Sequence, residues 1–163
     1  MSDELSPRFK FVTIWLLLGL VVFLGFQWAQ HRSQQTRLII DGNTVEIRRG
    51  ADGHYHWPGR VNGRTVDFLV DTGATSSAIP AALARELGLE SLGPVQSSTA
   101  GGSVTGQLVS VDIDLDGGVS ARRVRVLALP ALSGGPLLGM DILGKLRWQQ
   151  RDGVLLIDLH TER

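Results

Sequence analysis

The pattern of apolar and polar positions changes character once, near residue 30. From Phe11 to Trp28 the stretch FVTIWLLLGLVVFLGFQW carries no charge, and about 20 apolar residues rising ~1.5 Å each cross a hydrocarbon core about 30 Å thick. This predicts a spanning helix over residues 11–29, after a short tail, 1–10. Trp15 and Trp28 bracket much of the run, and Gln30, His31 and Arg32 have the polarity of an interfacial anchor. A cleaved signal peptide is the alternative; against it stand the length of the run and the lack of a small-x-small cleavage site after it. Arg8 and Lys10 before the run and Arg32 and Arg37 after it nearly balance. A short tail ahead of one helix is compatible with the larger portion lying outside the cytoplasm. In a bacterium that means an inner-membrane anchor with a periplasmic domain.

Beyond the polar juncture the period shifts to two, in short runs separated by turn residues. Leu38–Ile40 and Thr44–Ile47 flank Asp41-Gly42-Asn43 and predict a hairpin, since Asp-Gly supplies the positive φ a tight turn needs. It is expected as a membrane-proximal element within a linker, 30–52, with the main domain over 53–163. His54 to Val61, Asn62-Gly63 and Arg64 to Val70 predict a second hairpin. Pro80 to Leu87, opened by Pro and closed by Gly88, predicts a short helix. Val104 to Leu115 and Val119 to Leu129 flank Asp116-Gly117-Gly118 as a long hairpin, a brief helix is expected around Ile142 to Leu146, and Val154 to Ile157 closes the chain as a strand. The class predicted is all-β with one or two short helices, and no repeat is present.

Composition narrows the functions. Length and a hydrophobic fraction of 43% fit one globular domain. Sixteen basic residues against sixteen acidic ones give no net attraction for nucleic acid. Without cysteine there is no disulfide, zinc ribbon or thiol nucleophile.

One segment carries chemistry. In Phe68-Leu69-Val70-Asp71-Thr72-Gly73-Ala74-Thr75 an apolar strand delivers a carboxylate to a glycine-containing turn flanked by hydroxyls. Gly73 permits a tight turn and close approach of its N–H to the carboxylate, and the Thr72 hydroxyl can donate or accept. Asp-Thr-Gly alone is weakly specific; the apolar approach and the Ala and hydroxyls after it sharpen it.

With Leu137-Leu138-Gly139-Met140-Asp141-Ile142-Leu143 downstream, the sequence from about Gly53 onward resembles the retropepsin-like aspartic proteases, in particular their bacterial membrane-anchored branch. The resemblance implies a closed or nearly closed acid-protease barrel that hydrolyses peptide bonds. It implies Asp71 as the catalytic aspartate, Thr72 and Gly73 as its support, and a glycine-bearing flap around Ser98–Gly106. Ala74, Thr75, Gly101, Gly102 and Ser103 are then the expected substrate contacts, with Ile79, Val104 and Leu132 as apolar wall candidates. Two carboxylates sharing a proton are needed for this chemistry, and the chain has one Asp-Thr-Gly, so a homodimer acting on a peptide is expected, without metal or organic cofactor.

Other residues have plainer readings. Asp141 suits a cap for the helix near Ile142. His54 and His56, at i and i+2, lack a clustered third ligand and read as surface histidines. Arg122, Arg123 and Arg125 read as the wet face of a strand, and Trp57 and Trp148 as core or interface. A noncatalytic membrane-anchored binding or dimerisation module of the same fold is the alternative function, since fold does not guarantee activity.

Overall fold

The computed structural model describes residues 7–33, 38–99 and 102–159. The chain forms two compact units, divided between Gln35 and Thr36. The first contains α1 (Pro7–Ser33), a continuous 27-residue helix. Within it side chains are described at Phe11 and residues 13–25, all exposed. No helix among the described residues is long and apolar enough to cross a membrane.

The second unit is mostly β. Its elements in order are β1 (Leu38–Asp41), β2 (Thr44–Arg48), β3 (Tyr55–Val61), β4 (Arg64–Val70), β5 (Ala78–Pro80), α2 (Ala81–Glu86), β6 (Gly93–Thr99), β7 (Gly102–Leu115), β8 (Val119–Leu129), β9 (Leu137–Leu138), α3 (Met140–Leu143), β10 (Arg147–Arg151) and β11 (Val154–Asp158). One sheet runs β3-β4-β9-β5-β8-β7-β6, and a further pairing of β3 with β7 closes all but β6 into a barrel. Closure pairs Gly59, Arg60 and Val61 with Leu115, Asp114 and Ile113. It depends on Gly59, where a Cβ would lie 2.5 Å from the Asp114 carbonyl oxygen. The β3–β4 turn places Asn62 at φ 47° and Gly63 at φ 83°, the double positive φ that Asn-Gly adopts most readily.

Alternation decides which faces are buried. Trp57, Val61, Phe68, Val109, Val111, Ile113, Val126 and Leu138 fill the barrel, each with at most 2% exposed. The Trp57 indole N–H donates to the Asp116 carbonyl at 2.7 Å, satisfying its polar atom inside the core. Trp148 is half-buried, its indole N–H on the Leu143 carbonyl. Arg122, Arg123 and Arg125 are exposed on β8 as expected. Arg123 has φ 52° beside the register shift between Val111 and Ile113, and Arg122 sits 2.6 Å from Asp114.

The hairpin expected as a membrane-proximal linker is instead part of the β unit. β2 pairs along its length with β11, in a second sheet ordered β1-β2-β11-β10. Val45 and Ile47 are fully buried in the same core as the barrel residues. The compact unit thus begins near Thr36 rather than Gly53. Local alternation marks β2 as a strand, but its partner lies at the other end of the chain, where no local signal reaches. β10 has one apolar residue in Arg147-Trp148-Gln149-Gln150-Arg151 and is mostly exposed at the edge of the sheet, so it carries no strand pattern. Pro80 ends β5 in an extended conformation and precedes α2, while Gly88, at φ 61°, takes the left-handed position after the helix.

Ile47→Ala is expected to destabilise the β unit by about 2–5 kcal/mol, the cost of emptying a packed core position. Denaturant unfolding checks this; a loss below about 0.5 kcal/mol, as at an exposed linker site, would contradict the placement of β2.

Candidate active site

Asp71 stands where β4 ends. Val70 pairs in parallel with Leu138 of β9, and the Asp71 N–H donates to the Leu138 carbonyl at 3.0 Å. The chain then turns, with the Ala74 N–H on the Asp71 carbonyl at 3.3 Å. The Gly73 N–H donates to Asp71 Oδ1 at 2.8 Å, the orienting contact expected of this turn. A Cβ at Gly73 would lie 3.2 Å from that oxygen, a tight fit rather than a prohibited one. Asp71 is half-buried, and Thr72 and Gly73 are exposed.

A second strip of backbone locks this turn. The Met140 N–H donates to the Ala74 carbonyl at 2.8 Å. Ser77, with 1% of its surface exposed, donates its hydroxyl to Asp141 Oδ1 at 2.7 Å and accepts the Gly139 N–H at 3.0 Å. Gly139 is indispensable to the approach, because a Cβ there would lie 2.6 Å from the Ser76 carbonyl carbon. Asp141 is therefore not the cap expected. Gly139 occupies the N-cap position of α3 without a side-chain bond, and Asp141 accepts from the Ser77 N–H at 2.9 Å and from its neighbour Ile142 at 3.1 Å.

Asp71 opens into a cleft of about 500 Å³. Gly73, Ala74, Thr75 and Ser76 line it from the turn, Ser97 and Ser98 from β6, and Ala78, Leu127, Leu129 and Leu137 from the barrel strands. Asp71 is the only ionisable side chain among the described residues lining it. Its arrangement is a carboxylate on an open, otherwise uncharged cleft with apolar walls and a hydroxyl-bearing rim.

Residues 57–145 match the family model described as "gag-polyprotein putative aspartyl protease", which spans both the Asp71 turn and the strip that locks it. The chain belongs to this family of aspartyl proteases. As such it is a peptide-bond hydrolase of retropepsin type. Its fold is similar to that of a retropepsin-like aspartic protease from Rickettsia conorii, at TM-score 0.56 and 19% identity over 75% of this chain and 95% of that one. The EIAV protease, solved with an inhibitor, aligns at TM-score 0.46 and 23% identity over 58% of this chain and 89% of its own. The simian foamy virus protease aligns at TM-score 0.41 and 20% identity over 55% and 91%. No curated protein matches the chain.

In this aspartic protease the cleft brings together Asp71, Gly73, Ala74 and Thr75 of the expected residues. Gly102 and Ser103 stand at the start of β7, paired with Thr99 and Ser98, and do not line the cleft; Gly101 lies outside the described residues. The expected walls are corrected. Ile79 has 1% exposed and faces the core, Val104 pairs with Ser97 of the cleft without being one of its lining residues, and Leu132 borders a separate cleft beside α2. Ala78, Leu127, Leu129 and Leu137 supply the walls instead. The signal for Leu127 and Leu129 was the alternation along β8, unreadable as a wall without knowing that β5 inserts between β8 and β9.

The histidines hold no metal-like cluster among the described residues. His56 stands between two carboxylates, its Nε2 2.7 Å from Asp52 and its Nδ1 3.4 Å from Asp67. The hydrogen bond from His56 holds the Asp52 carboxyl below the ordinary range, whereas burial pushes that of Asp67 above it. A raised carboxyl pKa means that folding favours the protonated form. Its stabilising share is present below the unfolded pKa and lost as pH rises through the folded one. Asp67→Asn is therefore expected to melt at or above the wild-type temperature at neutral pH, with the difference shrinking towards about pH 3 as Asp67 protonates. Thermal melts at both pH values check this, and a mutant less stable only at neutral pH would contradict it. The effect is small, since 47% of the side chain is exposed.

Proposed function

We propose that the chain is a membrane-anchored aspartic endopeptidase that acts as a homodimer, with one Asp71 from each copy forming the catalytic pair. The observation that carries this reading is the lone carboxylate of the Asp71 cleft. Hydrolysis by this chemistry requires two, and one Asp-Thr-Gly per chain leaves a second copy as the source. Across a two-fold axis the same turn faces itself, and two carboxylates brought close share one proton. The ionised member takes a proton from a water, which attacks the scissile carbonyl carbon while the protonated member donates to the carbonyl oxygen. Collapse of the tetrahedral intermediate breaks the C–N bond, with a proton delivered to the leaving amine. The apparent pKa values of this step belong to the pair.

The β6–β7 hairpin, with Gly102 at φ 110° near its tip, is the flap of this reading, opening to admit a peptide and closing over it. The apolar walls favour substrates with apolar side chains beside the scissile bond. The anchor rests on the sequence alone, on the uncharged run from Phe11 to Trp28. Two copies held in one bilayer meet at a raised effective concentration. The inner membrane, with the β unit on the periplasmic side, is the location this reading assigns.

Wild type and Asp71→Asn, compared on a mixed peptide library from acidic to neutral pH with pepstatin as a probe, test the activity. The expected result is pepstatin-sensitive cleavage that disappears in the mutant, with the unfolding transition unchanged. Cleavage by Asp71→Asn, or none by wild type at concentrations where it is dimeric, would overturn the reading, the latter in favour of a noncatalytic module.

A further inference from the structure

The carboxyl group of Asp71 has little of its own to hold it. Its hydrogen bond comes from Gly73, two residues along the same turn, so the turn and the carboxylate move together. Backbone bonds hold the turn at Asp71, to the Leu138 carbonyl, and at Ala74, from the Met140 N–H; side chains hold the far end of the segment, at Ser77. There a carboxylate and a hydroxyl carry the link: Asp141 Oδ1 accepts both the N–H and the hydroxyl of Ser77, and the Ser77 oxygen accepts from Gly139. Asp141 also accepts from Ile142, which ties the same oxygen to α3. Hydrogen bonds to an ionised acceptor are about twice as strong as neutral ones, and the donors at this buried serine are costly to leave unmet. Neither Asp141 nor Ser77 lines the Asp71 cleft, so neither touches the reacting atoms.

We infer that Asp141 and Ser77 are positioning residues that set the separation of the two catalytic carboxylates. The inference rests on the homodimeric protease reading. Symmetry gives the pair its leverage: a shift of the 71–77 segment occurs in both copies, so the distance between the two Asp71 carboxylates changes by up to twice the shift. The coupling that splits their titration falls as they separate. Loosening the link therefore lowers turnover and draws the two limbs of the pH profile together. Loss of folded protein would scale the rate and leave the limbs in place.

The test uses the full chain in detergent, with peptide cleavage followed across pH for wild type, Asp141→Ala, Asp141→Asn and Ser77→Ala. Asp141→Ala is expected to lower kcat by about 100-fold, the scale of a misplaced reacting group, with KM little changed and a narrower pH profile. Asp141→Asn keeps an oxygen that can accept all three donors and is expected to recover most of the rate. Should Asp141→Ala not fold, Ser77→Ala, which deletes the hydroxyl and keeps the Ser77 N–H, is expected to narrow the profile in the same sense. Wild-type limbs and wild-type kcat per folded molecule in the alanine variants would overturn the inference while leaving the protease standing. A dimeric wild type without cleavage would overturn the reading beneath it as well.

Discussion

Where residues 71–77 pass residues 137–141 there is no room for a side chain at position 139. A Cβ at Gly139 would meet the Ser76 carbonyl carbon at 2.6 Å and the Ser77 nitrogen at 2.9 Å, separations that real side chains do not tolerate. That proximity lets the Met140 N–H reach the Ala74 carbonyl and the Ser77 hydroxyl reach Asp141. Without these contacts the turn beyond Asp71 would be tied to the barrel only where the Asp71 N–H meets the Leu138 carbonyl. Because β9 continues into this strip, and β9 lies between β4 and β5 in the barrel, the turn inherits the rigidity of a sheet buried on its inner side. Position follows from packing; the carboxylate itself contributes little to holding its place.

The barrel accounts for the rest of the site by the same economy of close contacts. β3 meets β7 only because Gly59 lets backbone approach backbone, and the ring so closed puts Leu127 and Leu129 of β8 beside Leu137 of β9 as the cleft wall. The β1-β2-β11-β10 sheet adds Val45, Ile47, Leu155 and Ile157 to the same core. Among the described residues the Asp71 cleft is open and carries no second charge.

The parts of this arrangement that were legible in the sequence are those set by near neighbours. Asn62-Gly63 announced the β3–β4 hairpin because the turn needs two positive φ angles, and Asp71 to Thr75 announced a site because the carboxylate, glycine and hydroxyls are consecutive. Long-range pairing was not legible. Val45 and Ile47 alternate like any surface hairpin until β11 covers them, and Arg147 to Arg151 hides a strand behind polar residues that an edge position allows. Asp141 looked like a cap because Asp preceding a short helix commonly is one; its partner, Ser77, lies 64 residues away. Ile79 and Leu127 are both apolar residues on strands, and only the insertion of β5 between β8 and β9 sends the first inward and the second to the cleft.

The central claim is that a working site takes one Asp71 from each of two copies, and a subunit-mixing titration tests it most directly. Wild-type and Asp71→Asn chains are mixed in varying ratio before reconstitution into one detergent, at a fixed total concentration that keeps them dimeric, and peptide cleavage is measured. With a shared site the rate follows the square of the wild-type fraction, so that an equal mixture retains about a quarter of full activity. A rate that falls in direct proportion, to about half in the equal mixture, would mean that each chain carries a complete site and would contradict the claim.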